Sequence, residues 1–167
     1  DELDDDEQDD DTPDDVLFAP LAARCYSAPS RKKPAGSKAR ARQVLRELKG
    51  YVHRKRCVAE DNIRAFAHIV EVRKDKLHKH YKLADEYAYC ERIGMESKDH
   101  IRKYLKVGTL DPEQFIGIKM NLKCLLQATK LEPAARAALC AGLRGRNKIT
   151  LPEMRQICDF AAKAVSD

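Results

Sequence analysis

The sequence predicts an all-α fold in which an extended arm and a long basic helix precede a C-terminal module of four shorter helices. Three observations carry this. From Val44 onward apolar residues recur at three- and four-residue steps, the period of a helix with one buried face. Helix-start signals punctuate the C-terminal half, with Ser97 and Asp99, Asp111-Pro112, Pro133 and Pro152 each placed where a first turn wants a cap or a proline. No run alternates between apolar and polar residues, so the only strand expected is a two-residue bridge between Leu110 and Ile149.

Residues 1–36 read as the arm. Its first fifteen residues hold eleven acids and no base, a composition expected to stay disordered unless a basic neighbour holds it. Val16-Leu-Phe-Ala-Pro-Leu-Ala22 is a short apolar patch suited to anchoring on a neighbour, and Ser27-Ala-Pro-Ser-Arg-Lys-Lys-Pro-Ala-Gly-Ser37 is a basic linker without a core of its own.

Residues 37–94 read as basic amphipathic helices. In the first, Val44, Leu45, Leu48, Tyr51 and Val52 form a narrow apolar stripe against a broad cationic face. A second helix is predicted from Glu60 to about Ile93, which at ~1.5 Å per residue would be about 50 Å long. Ile63, Phe66, Val70, Leu77, Ala84 and Tyr87 keep heptad-like spacing, broken by Arg73 and His80, and Gly94 ends the helix.

Residues 95–167 read as a four-helix module. Its helices are expected to end near Lys106, Thr129, Leu143 and Val165. Two octets inside it are alike: Gly108-Thr-Leu-Asp-Pro-Glu-Gln-Phe115 and Asn147-Lys-Ile-Thr-Leu-Pro-Glu-Met154. Each has a turn residue, an aliphatic residue, a cap-type side chain, a carboxylate or amide, and a large apolar residue opening a helix. On these residues the module resembles a degenerate EF-hand (calmodulin-like) helix-loop-helix pair, in which Gly108, Leu110 and Gln114, and Asn147, Ile149 and Glu153, fall on loop positions six, eight and twelve. Positions one, three and five hold Lys103, Leu105 and Val107, then Gly142, Arg144 and Arg146, which cannot supply the hard oxygen ligands of a calcium ion. The resemblance therefore implies shortened, calcium-independent loops and a docking module. Its helix-docking core would be Leu110, Phe115, Ile118, Ile149, Met154, Ile157 and Phe160, with the stripe around Phe66 and Val70 as the internal helix best placed to fill a groove.

Charge indicates the partner. The chain carries 32 Lys and Arg against 27 Asp and Glu, and because eleven of those acids lie in residues 1–15, the remainder holds a net +16. Such a body is suited to an anionic surface. The residues expected to meet it are Arg31, Lys32, Lys33, Lys38, Arg40, Arg42, Arg46, Arg54, Lys55, Arg56, Arg73, Lys74, Lys76 and Lys79.

Catalytic motifs are missing. There is no Gly-rich phosphate loop, nucleophile elbow or pair of carboxylates in an apolar setting, so no enzyme and no cofactor is expected. The six cysteines lack metal-ligand spacing and read as small buried hydrophobes in a reducing compartment; His78 and His80 lie on different faces of a helix, so no metal site is expected either. No apolar run is long enough to span a membrane.

Three functional classes follow; the missing ligands argue against one, a soluble calcium sensor, and the other two are structural subunits of a large assembly. In the first of these two, the protein is cytoskeletal, a component of a ciliary or flagellar axoneme that meets the acidic surface of tubulin. In the other, it contacts ribosomal RNA in an organellar, mitochondrial, ribosome or ribonucleoprotein, with the acidic head on a basic neighbour. The EF-hand resemblance tips the reading toward the first.

Overall fold

The computed structural model describes residues 32–54, 58–95, 97–144 and 148–164. Among them the chain is all-α: α1 (Lys38–Arg54), α2 (Ala59–Lys74), α3 (Glu86–Arg92), α4 (Lys98–Val107), α5 (Leu122–Ala128), α6 (Pro133–Leu143) and α7 (Leu151–Ala164), with 3-10 turns at Leu77–Tyr81 and Pro112–Phe115. No helix among the described residues is long and apolar enough to cross a membrane.

Helix α1 starts where Ser37 Oγ accepts a hydrogen bond from the Arg40 amide at 3.1 Å. Its stripe of Ala41, Val44, Leu45 and Leu48 is fully buried, and the helix packs on α2. Helix α2 is central. It buries Ala59, Ile63, Ala65, Phe66, Ile69 and Val72, because α1, α4 and both 3-10 turns pack around it. Phe66 stacks on Tyr104 of α4 with ring centroids 4.2 Å apart and takes the edge of Tyr51 of α1 at 5.6 Å. A single apolar core thus runs from Ala41 to Met154, with Phe66 inside it and Val70 partly buried against it.

The helix predicted from Glu60 to Ile93 is interrupted. It ends at Lys74; Lys76 adopts a left-handed φ of 53°, the chain turns through Leu77–Tyr81, Lys82 is left-handed again at 57°, and Asp85 caps α3 by accepting from the Ala88 amide at 2.8 Å. A straight helix would carry a basic, nearly all-polar shaft into solvent. Bending instead buries Leu77 and Tyr81 on the core, which outweighs the roughly 1 kcal/mol or more that each left-handed non-glycine residue costs. Gly94 ends α3 as expected, at φ 81°, with the Gly94 and Met95 amides bonded back to the Glu91 and Cys90 carbonyls.

The helix predicted from Pro112 to Thr129 is also split. Pro112–Phe115 makes only a 3-10 turn, Gly117 takes a φ of 73°, and the helix restarts at Leu122 after Asn121, whose side chain accepts from the Cys124 amide at 2.9 Å. Between them Lys119 forms two isolated β-bridges, antiparallel to Val58 and parallel to Lys148. This replaces the expected Leu110–Ile149 bridge: Leu110 is a buried core residue whose amide bonds the Val107 carbonyl.

The bridges expose a different internal match from the octets. Lys119-Met120-Asn121-Leu122 and Lys148-Ile149-Thr150-Leu151 each comprise a bridging lysine, a buried apolar residue, a cap-type residue and the leucine that opens a helix. At the second, Glu153 accepts from both the amide and the hydroxyl of Thr150, at 2.9 and 2.7 Å. Residues Lys103, Leu105 and Val107, at nominal loop positions, lie on α4, with Leu105 and Val107 buried.

Candidate anion-binding surface

The sequence placed fourteen basic residues on one anionic interface, and the fold separates them. Arg40 is buried. Its guanidinium grips Glu71 of α2 with both forks, at 2.6 and 2.8 Å, and donates to Gln43 at 2.6 Å. It is an internal strut rather than a contact residue, because its helix position faces α2. Lys33 is half-buried, its backbone amide tied to Gln43 Oε1 at 3.2 Å, and Arg42 is half-buried on α1. Arg31, Lys55 and Arg56, with the Arg54 side chain, lie outside what the structure describes.

The Arg40–Glu71 pair continues through His68. The His68 ring bonds Glu47 through Nε2 and stands 3.7 Å from Glu71 through Nδ1. Burial opposes the ionised forms here, but mutual attraction prevails. The two carboxylates together raise the His68 pKa, and His68 with Arg40 hold the Glu71 carboxyl at about 2. Glu47 is also lowered, first by its bond to His68. This network locks α1 onto α2.

That lock positions two basic runs side by side. The exposed His80 ring, in the Leu77–Tyr81 turn, bonds the Gly36 carbonyl at 2.9 Å, just ahead of α1, and the turn packs on α1. Lys32 and Lys38 from the first run therefore lie alongside Lys76, Lys79 and Lys82 from the second, with Lys74 and Arg73 adjoining at the end of α2; all seven are exposed. Arg73 is shared with Glu86 across 3.4 Å. Arg46 is exposed farther along α1. Lys82, not among the fourteen residues expected from the sequence, is exposed on the same turn; its left-handed backbone, like that of Lys76, turns the loop back on itself and keeps the lysines at one end of α2.

His78 is buried, with Nδ1 2.9 Å from the Leu83 carbonyl, so the two histidines are engaged by carbonyls of different segments. The aromatic residues near the turn are inside: Tyr81 and Tyr89 are buried, with ring centroids 6.0 Å apart. The surface offers dense positive charge, with Tyr81 and Tyr89 buried beneath it and only the His80 imidazole exposed in the turn. Such a surface is suited to anions through charge.

The residues assigned to a docking core are mostly internal. Leu110, Phe115, Ile118, Ile149 and Met154 are buried and Ile157 is half-buried. Phe160 is instead 77% exposed. On α7 the inward face runs through Met154, Ile157, Cys158 and Ala161, and Phe160 projects more than a quarter-turn away from it.

Burial also decides the thiols. It raises Cys124, Cys140 and Cys158 and pushes Cys90 up to about 12, leaving each a poor nucleophile. Cys25 and Cys57 lie outside the described residues. The chain matches no family model, no curated protein and no solved structure.

Proposed function

We propose that this chain is a non-enzymatic structural subunit that seats a basic surface on an acidic protein lattice, with microtubules of a cilium or flagellum as the first reading. The observation that carries it is the His80–Gly36 bond, which joins the segment bearing exposed Lys32 and Lys38 to the turn bearing exposed Lys76, Lys79 and Lys82, over buried tyrosines. Positive charge with its tyrosines buried suits carboxylate-rich protein better than single-stranded RNA, where base stacking on aromatic side chains contributes ~1–3 kcal/mol per base. In this reading the EF-hand-like C-terminal half works without calcium, as a clamp: it holds α2 through Phe66 and Tyr104 and so fixes the basic turn at the end of α2. The raised thiols agree with a role that needs no nucleophile.

Co-sedimentation with microtubules tests the reading. Binding is expected to fall steeply with salt and to weaken about tenfold or more in the Lys76→Gln/Lys79→Gln/Lys82→Gln variant, since each lost contact removes a share of the electrostatic attraction. Microtubules stripped of their acidic tails should bind less. Tight binding to ribosomal RNA, with none to microtubules, would replace the axonemal reading by the organellar ribonucleoprotein one.

A further inference from the structure

We infer that the chain's own acidic segment, Asp1–Asp15, occupies the basic surface when no external partner is bound. The inference rests on the surface proposed above, to which it adds a tethered competitor. Three observations converge. The first is charge: residues 1–15 carry eleven acids and no base, while the exposed side chains at the surface include Lys32, Lys38, Lys74, Lys76, Lys79 and Lys82. The second is connectivity: the segment's tether, residues 16–31, runs directly into Lys32 at the edge of the surface, and His80 pins Gly36 four residues later. A tether of this length spans up to about 50 Å when extended, enough for the head to reach the turn. The third is the state of the surface's own carboxylates. Glu71 is held by Arg40 and His68 and the Asp85 side chain caps α3, which leaves Asp75 as the single acid in residues 73–82 against Arg73, Lys74, Lys76, Lys79 and Lys82.

Tethering supplies a local concentration on the order of millimolar, which lets a weak electrostatic contact persist. An external lattice with many carboxylates must then displace the head. The affinity measured for a polyanion should accordingly be lower than the surface alone would give, and the exchange should be most evident at low salt.

The test uses the full chain and two full-length variants: one with the eleven head acids changed to Asn or Gln, the other carrying Lys76→Gln/Lys79→Gln/Lys82→Gln. Carbodiimide cross-linking of dilute protein should join carboxylates of residues 1–15 to Lys76, Lys79 or Lys82 within the monomer band. A labelled poly-glutamate peptide should bind the neutralised-head variant about tenfold more tightly than the parent at roughly 50 mM salt, with the difference lost near molar salt as screening grows. Equal affinity of parent and neutralised head, or cross-links confined to dimers or to lysines elsewhere, would overturn the inference. If the lysine variant loses the peptide while neutralising the head changes nothing, the surface reading stands and the inference falls. If monomer cross-links form but neither the parent nor the neutralised-head chain binds microtubules, the inference stands and the external partner is wrong.

Discussion

Gly108 closes the end of α4 directly onto the backbone of α2 at Phe66. A Cβ at this position would stand 2.5 Å from the Phe66 carbonyl carbon and 2.9 Å from the Ala67 nitrogen. Backbone, unlike a flexible side-chain tip, cannot step aside. The glycine's φ is −64°, so what the site needs is the missing side chain, not a left-handed turn.

Gly108→Ala is therefore expected to separate α4 from α2 and cost about 3 kcal/mol, the upper range for overpacking. Gly142 on α6 is the control, since a Cβ there meets nothing within 4 Å. Gly142→Ala should be neutral or stabilise by up to about 1 kcal/mol. Urea unfolding of both variants checks the contrast.

The Arg40–Glu71–His68 network makes stability depend on pH at both ends. Glu71 is depressed from 4.5 to about 2, so its contribution is fully present above pH 4.5 and is lost as pH falls toward 2. His68 is raised above 6.5, so its contribution is present below that value and fades as pH rises through the folded pKa. Glu71→Gln should cost about 3 kcal/mol by leaving Arg40 unpaired in a buried site. Thermal melts across pH should show both limbs in the parent, and His68→Gln should flatten the alkaline one.

The two phenylalanines of the C-terminal half should part company. Phe115 is fully buried, and its replacement by alanine is expected to cost roughly 3–5 kcal/mol. Phe160 is exposed on the outer face of α7, and the same change there should stay within about 0.5 kcal/mol. Calorimetry on both variants distinguishes them.

The isolated fragment 95–167 is expected to be unfolded. Tyr104 stacks on Phe66, and α2 covers α4 and the Pro112–Phe115 turn, so without α2 the fragment would expose the buried side of its own core. A circular dichroism spectrum showing cooperative helical melting of the fragment alone would contradict this.

Helical periodicity and caps were legible wherever local chemistry and burial agree. The stripe Val44, Leu45, Leu48, the stop at Gly94, and the starts at Ser97, Pro133 and, within one residue, Pro152 follow from rules that act within one turn of chain. Breaks at Lys76, Lys82 and Gly117 were not, because a lysine-rich stretch has good helix propensity and nothing local forbids it from continuing; only the burial of Leu77, Tyr81, Ile118 and Met120 on distant helices makes bending favourable. The same limit applied to the octet match, whose shared residues meant a 3-10 turn in one copy and a full helix in the other.

By itself the sequence determined the all-α class, the concentration of acids in residues 1–15, and the basic excess of everything after them, since composition and short-range periodicity need no knowledge of which segments meet. Tertiary structure alone decided which charges face outward. Arg40 and Lys79 are both cations on basic runs, yet one is spent inside on Glu71 and the other stands exposed beside the α1 terminus. That difference depends on where α2 lies across α1, a long-range packing choice set by apolar burial around Phe66, and no local pattern encodes it.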